Sequence, residues 1–224
     1  MSIRETASSE LKKLRDMPPR DRLWYLGAYY KFHLAALIII LVLLSVVGQM
    51  IYRSTFTTRL SFAVVNDRSG GAGSMDVIKK ELHQYLKLGS KDLIEINEGL
   101  SADFQEDAAM SEFGYASLMK ITALTASGGL DIMIADREAA EHFAGLSAFE
   151  DLSQLLPQEL LAELSDAVLY LPDENGHSRA AALSLEGTSF SQKTGIVMDS
   201  PCLAVMSNSP HKEEAVQALR LLIQ

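Results

Sequence analysis

The spacing of apolar residues changes character twice along this chain. From Leu34 to Tyr52 there is no charged residue, and only Ser45, Gly48, Gln49 and Tyr52 interrupt an apolar run of nineteen positions. A helix rises about 1.5 Å per residue, so such a run reaches roughly 28 Å, close to the thickness of a bilayer's hydrocarbon core. A soluble helix of that length carries a polar stripe, and none is present here. The pattern predicts one transmembrane helix over residues 34–52. A cleavable signal peptide is the competing reading. Against it, about thirty residues precede the run and no small-x-small cleavage site follows Val47.

Residues 53–58 read as a tether into a region of mixed periods. Arg59 to Val65 alternates loosely and ends in Phe62-Ala63-Val64-Val65, a strand signal, and Asn66 to Gly73 reads as a loop. Ser74 opens an amphipathic helix with Met75, Ile78, Leu82, Tyr85 and Leu86 on one face and Gly89 placed to end it. A second strand is expected at Asp92 to Asn97, then a polar stretch to Met110 and a helix from Ser111 to Ser127 stopped by Gly128-Gly129. Asp131-Ile132-Met133-Ile134-Ala135 suits a short buried parallel strand, with a helix over 137–144 after it. Further on, Pro157 marks a helix start, 168–171 and 179–185 read as strands, and Pro172 to His177 as a turn. Cys202 to Met206 reads as a core strand, followed by Ser209-Pro210 as cap and first position of a closing helix that buries Val216, Leu219 and Ile223. The β-α-β-α-β-α order predicts an α/β fold over 59–224, a three-layer domain with right-handed crossovers.

Charge orients the span. Residues 1–33 hold seven basic and four acidic side chains, a net of plus three, whereas the whole chain is at −9. The positive-inside rule then places the N-terminus in the cytoplasm and the C-terminal domain outside the cell, although Arg53, Arg59 and Arg68 weaken the bias. Trp24, Tyr25, Tyr29, Tyr30 and Phe32 crowd among Arg20, Arg22 and Lys31, predicting an interfacial helix from about Asp21 to His33. The acidic domain argues against nucleic acid as a partner, and the single Cys202 permits no internal disulfide.

Two stretches resemble the extracellular solute-binding proteins of bacterial ABC importers, in their type II arrangement. One is Asp131-Ile132-Met133-Ile134-Ala135-Asp136 with its following helix and Ala148-Phe149-Glu150-Asp151-Leu152-Ser153-Gln154-Leu155-Leu156. The other is Cys202 to Ala215, similar to a late strand, cap and helix of that family. The resemblance implies one lobe of a periplasmic-binding-protein fold. Only about fifty residues separate Leu152 from Cys202, too few for an ordinary second lobe. The expectation is a single-pass membrane protein displaying a solute-binding-like lobe as a binding or protein-interaction module, with the bilayer and a membrane protein or small solute as partners. A transport-associated receptor working with an importer, and a surface hydrolase, are the alternatives.

Candidate chemistry is sparse. Ligands in open α/β sheets lie beyond the carboxyl ends of strands, which selects Asn66, Asp67, Gly70, Asp136 and Arg137 as candidate ligand-binding residues. The Asn66 to Ser74 loop lacks the Lys and Ser or Thr of a P-loop and reads as a flexible connection rather than an anion site. Glu95, Glu98, Asp103, Glu106, Asp107 and Glu112 form an acidic stretch without EF-hand spacing. His33, His83, His142, His177 and His211 form no HExxH motif, so no metal site is expected; His83 and His211 read as exposed helix positions. Ser184, Ser189 and Ser191 lie near Glu186 and Lys193 without a nucleophile elbow, and Cys202 reads as core. No catalytic residue and no cofactor is expected, and the chain reads as a non-enzyme.

Overall fold

The computed structural model describes residues 31–102, 104 and 111–223, together with Pro18. The polar N-terminal piece and most of the expected interfacial helix lie outside the described residues. Two compact units divide at residues 55 and 56.

The first unit contains helix α1, Lys31–Arg53. It begins before the expected start, taking in the last residues assigned to the interfacial segment. Ala35–Arg53 is long and apolar enough to cross a membrane, with a mean hydropathy of 2.5 and none of it buried. Leu41, Leu44 and Ile51 are all exposed.

The second unit is a mixed α/β domain around one six-stranded sheet. Its elements are β1 (Thr57–Val65), α2 (Asp76–Tyr85), β2 (Asp92–Leu100), α3 (Glu112–Ala126), β3 (Ile132–Ala135) and α4 (Arg137–Gly145). They continue with α5 (Leu152–Leu155), α6 (Gln158–Glu163), β4 (Val168–Pro172), β5 (Ser178–Ser184), α7 (Phe190–Thr194), β6 (Cys202–Val205) and α8 (Lys212–Leu222). The strand order is β2-β1-β3-β6-β5-β4. β1 runs parallel to both β2 and β3, while β6 is antiparallel to β3 and β5, and β4 to β5.

Alternation along the central strands explains the layers. Leu60, Phe62 and Val64 of β1, Ile132 and Ile134 of β3, and Leu203 and Val205 of β6 point to one face. They meet Met75 just ahead of α2, Ile78 and Leu82 of α2, and Ala215, Ala218 and Leu219 of α8. Ala63, Val65, Met133, Ala135, Cys202 and Ala204 point the other way, toward Ile121 of α3 and Ala139, Ala140 and Phe143 of α4. Strands buried on both faces read as continuous apolar runs, which is why β1, β3 and β6 stand out in the sequence. The crossovers through α2 and α3 move in opposite directions along the sheet and lie on opposite faces, as crossovers of one hand must.

The element ends depart from expectation in informative ways. α2 stops at Tyr85, before Gly89, because Lys87 takes the left-handed turn at φ 51°. α7 was not expected. α8 starts at Lys212 with His211 at the N-cap and no side-chain cap; the Ser209 hydroxyl accepts from the His211 N–H at 3.1 Å, one residue ahead of the helix, and donates to Asp131. Its buried face is centred on Ala215, Ala218, Leu219 and Leu222, with Val216 and Ile223 only partly buried.

Candidate functional site at the strand ends

β1 and β3 are adjacent and parallel, yet the chain leaves them for opposite faces, into α2 and α4. Diverging connections open a crevice at the carboxyl ends, the position where open α/β sheets accept ligands. Asn66 and Asp67 follow β1 there, and Asp136 and Arg137 follow β3. β6 runs antiparallel to β3, with Cys202 opposite Ala135, so the segment leading into β6 reaches the same end.

Asn66 and Asp136 meet across the crevice, the Asn66 Nδ2 donating to Asp136 Oδ2 at 3.0 Å. Asn66 Nδ2 also donates to the Ala102 carbonyl at 2.8 Å, and its Oδ1 accepts from the Ala102 N–H at 2.7 Å. Its backbone sits at φ 63°, a region Asn visits more readily than most residues. The other Asp136 oxygen caps α4 by accepting from Ala139 N–H at 3.0 Å. Asp67 Oδ1 accepts from the Ser69 and Val197 N–H groups at 2.9 and 3.0 Å, and Oδ2 from the Ser69 hydroxyl at 2.6 Å. Partial burial works to raise the Asp67 pKa, but these hydrogen bonds outweigh it and hold the carboxyl below its ordinary value.

Arg68 pairs with Asp199, which arrives on the segment before β6. An open cleft of about 480 Å³ lies beside this pair, with Phe113, Glu138 and Ser101 also in its wall. Asn66, Asp67 and Asp136 line it; Gly70 and Arg137 do not. Gly70 sits in the loop at φ 66° facing open space, and Arg137 Nε turns along α4 to Glu141 at 2.8 Å. Gly73 is the tight glycine of that loop, since a Cβ there would lie 2.9 Å from the Ile196 backbone. Sequence reasoning missed Asp199, Phe113 and Glu138. Asp199 was findable only from the antiparallel return of β6, which a short apolar run does not reveal.

A second polar centre lies at the opposite end of β3. Asp131 is 1% exposed, and its Oδ2 accepts from the Ser61 N–H at 2.8 Å while Oδ1 accepts from the Ser209 hydroxyl at 2.5 Å. His211 Nδ1 lies 3.1 and 3.2 Å from the two oxygens. His211 is therefore not the free, exposed helix position expected, and Ser209 donates to Asp131 while its oxygen accepts from the His211 N–H at the approach to α8.

Cys202 is buried, and loss of solvation pushes its thiol up to about 11, so at neutral pH it is a core thiol rather than a nucleophile. Lys193 pairs with Glu81 at 2.9 Å, and the Ser184 hydroxyl accepts from the Glu186 N–H at 3.2 Å. Among the described residues no cluster of three or more His, Cys, Asp or Glu side chains is placed to hold a metal ion. Comparison with protein-family profiles, curated proteins and solved structures gave no match.

Proposed function

We propose that this chain is a single-pass membrane protein that displays its α/β domain, residues 59–224, outside the cell as a non-enzymatic binding or protein-interaction module. The observation that carries the reading is the uncovered apolar window Ala35–Arg53 ahead of a domain with its own core. The surplus of basic residues before that window supports a cytoplasmic N-terminus. The β3–α4–α5 and β6–α8 segments, which carry the likeness to a solute-binding lobe, are adjacent through the β3–β6 pairing. Interaction with a protein is favoured over solute capture because Asn66, Asp67 and Asp136 spend most of their hydrogen-bonding capacity on the chain itself.

Membranes from cells expressing the full chain test this reading. The protein should stay in the pellet at alkaline pH and yield to detergent, and protease added to intact cells should degrade the domain. Release into the alkaline supernatant, or a domain protected until lysis, would overturn it. Saturable stabilisation by a sugar, amino acid or peptide, lost with Asn66→Ala, would shift the reading to solute capture.

A further inference from the structure

Helices α2, α6 and α8 contribute to the same apolar core, and a hollow of about 610 Å³ is left among them at the surface. It shares no residue with the strand-end cleft. Its floor is apolar: Leu160 and Leu164 are 4% and 9% exposed, and Ile223 is partly buried. Its wall carries both signs of charge, Glu159 and Glu163 from α6 and Arg220 from α8, and is completed by Tyr85. Among the described residues none of these three charged side chains has an ion-pair or hydrogen-bond partner, and they do not pair with one another. Glu159 and Glu163 stand four positions apart on one helix, where like charges repel. In the strand-end cleft, by contrast, Arg68 is paired with Asp199, and Asp67 and Asp136 are hydrogen-bonded within the chain.

We infer that this hollow binds a small zwitterion with an apolar side chain, a free amino acid or a very short peptide. The ammonium goes to Glu159 and Glu163, the carboxylate onto the Arg220 fork, and the side chain onto Leu160, Leu164 and Ile223. Charge selects this class. A simple cation is repelled by Arg220, a simple anion is repelled by two glutamates, and a neutral sugar leaves all three charges unanswered. A molecule bearing both charges relieves the repulsion between the glutamates and gives Arg220 a partner at the same time. The volume lies inside the range of small-ligand pockets, about 300–1,000 Å³, and the leucines of the floor favour an aliphatic side chain by removing it from water. Every residue involved lies in the α/β domain, so the inference does not depend on how the chain is anchored.

Calorimetric titration of the detergent-solubilised full chain tests the site, with L-leucine and leucyl-leucine as probes. Saturable heat from either is expected, and the tighter of the two separates the free amino acid from the peptide. Leucinamide lacks the carboxylate and isocaproate lacks the ammonium. Each should bind about tenfold or more weakly, because each gives up hydrogen bonds to a charged group. Arg220→Ala should weaken binding of the preferred probe by a similar factor, about tenfold, and Arg220→Lys should recover part of it. Glu159→Gln combined with Glu163→Gln should weaken it as well. All three side chains are exposed, so these variants should melt close to the parent. No saturable heat from either probe at millimolar concentration overturns the inference. So does leucinamide or isocaproate binding as tightly as leucine, or an Arg220→Ala chain whose binding is unchanged.

Discussion

Asn66 holds three parts of the chain at one point: the end of β1, the backbone at Ala102 beyond β2, and Asp136 at the start of α4. Each net hydrogen bond contributes about 1 kcal/mol, and a left-handed backbone costs alanine roughly 1–2 kcal/mol. Asn66→Ala should therefore destabilise the domain by about 4–5 kcal/mol, and Asn66→Gly should recover about 1–2 kcal/mol of that, because glycine accepts the φ of 63° without strain. Urea midpoints of the three proteins check the order; equal losses for Ala and Gly would remove the backbone term. The position was legible as a strand-end polar residue. Its bonding was not, because both partners are distant in sequence.

At the level of elements, Asp131 links β1, β3 and the approach to α8. Asp131→Ala would leave the Ser61 N–H, the Ser209 hydroxyl and the His211 ring without their acceptor, at a cost of about 3–5 kcal/mol. Ser209→Ala removes one donor and should cost about 1 kcal/mol. Denaturation curves showing the two variants equally destabilised would mean that Asp131 acts through packing alone. The same centre explains where sequence reading failed. Ser209-Pro210 has the composition of a helix start, yet the hydroxyl answers a carboxylate 78 positions earlier. The runs in β1, β3 and β6 were legible because both faces of each strand are covered. A run of four apolar residues carries no direction, so the antiparallel setting of β6, and with it the place of Asp199, was not legible.

Across the whole molecule, acid sensitivity follows from where carboxylates are held. Asp67, Asp92, Asp173 and Asp199 all lie below the ordinary 3.8, Asp92 and Asp173 chiefly through backbone N–H donors and Asp199 through Arg68. A depressed folded pKa contributes stability above the unfolded value and loses it as pH falls through the folded one. Burial also lowers His142, which stacks on Phe104 at 3.7 Å, so its contribution begins to fall once pH drops below 6.5. The domain should lose stability in two stages, a shallow one from about pH 6.5 and a steeper one below about pH 4. Urea midpoints against pH should show His142→Phe removing the first stage and Asp67→Asn weakening the second. The α/β class and the apolar helix were legible at this scale because periodicity reports them directly. The sheet order was not, since pairing between strands is a long-range choice. That order has a consequence for biosynthesis. β6 lies between β3 and the β5–β4 hairpin, so the hairpin, though translated first, has no edge to join until residues 202–205 leave the ribosome. Nascent chains stalled before that point should remain protease-sensitive and demand chaperone attention, however complete their first three strands.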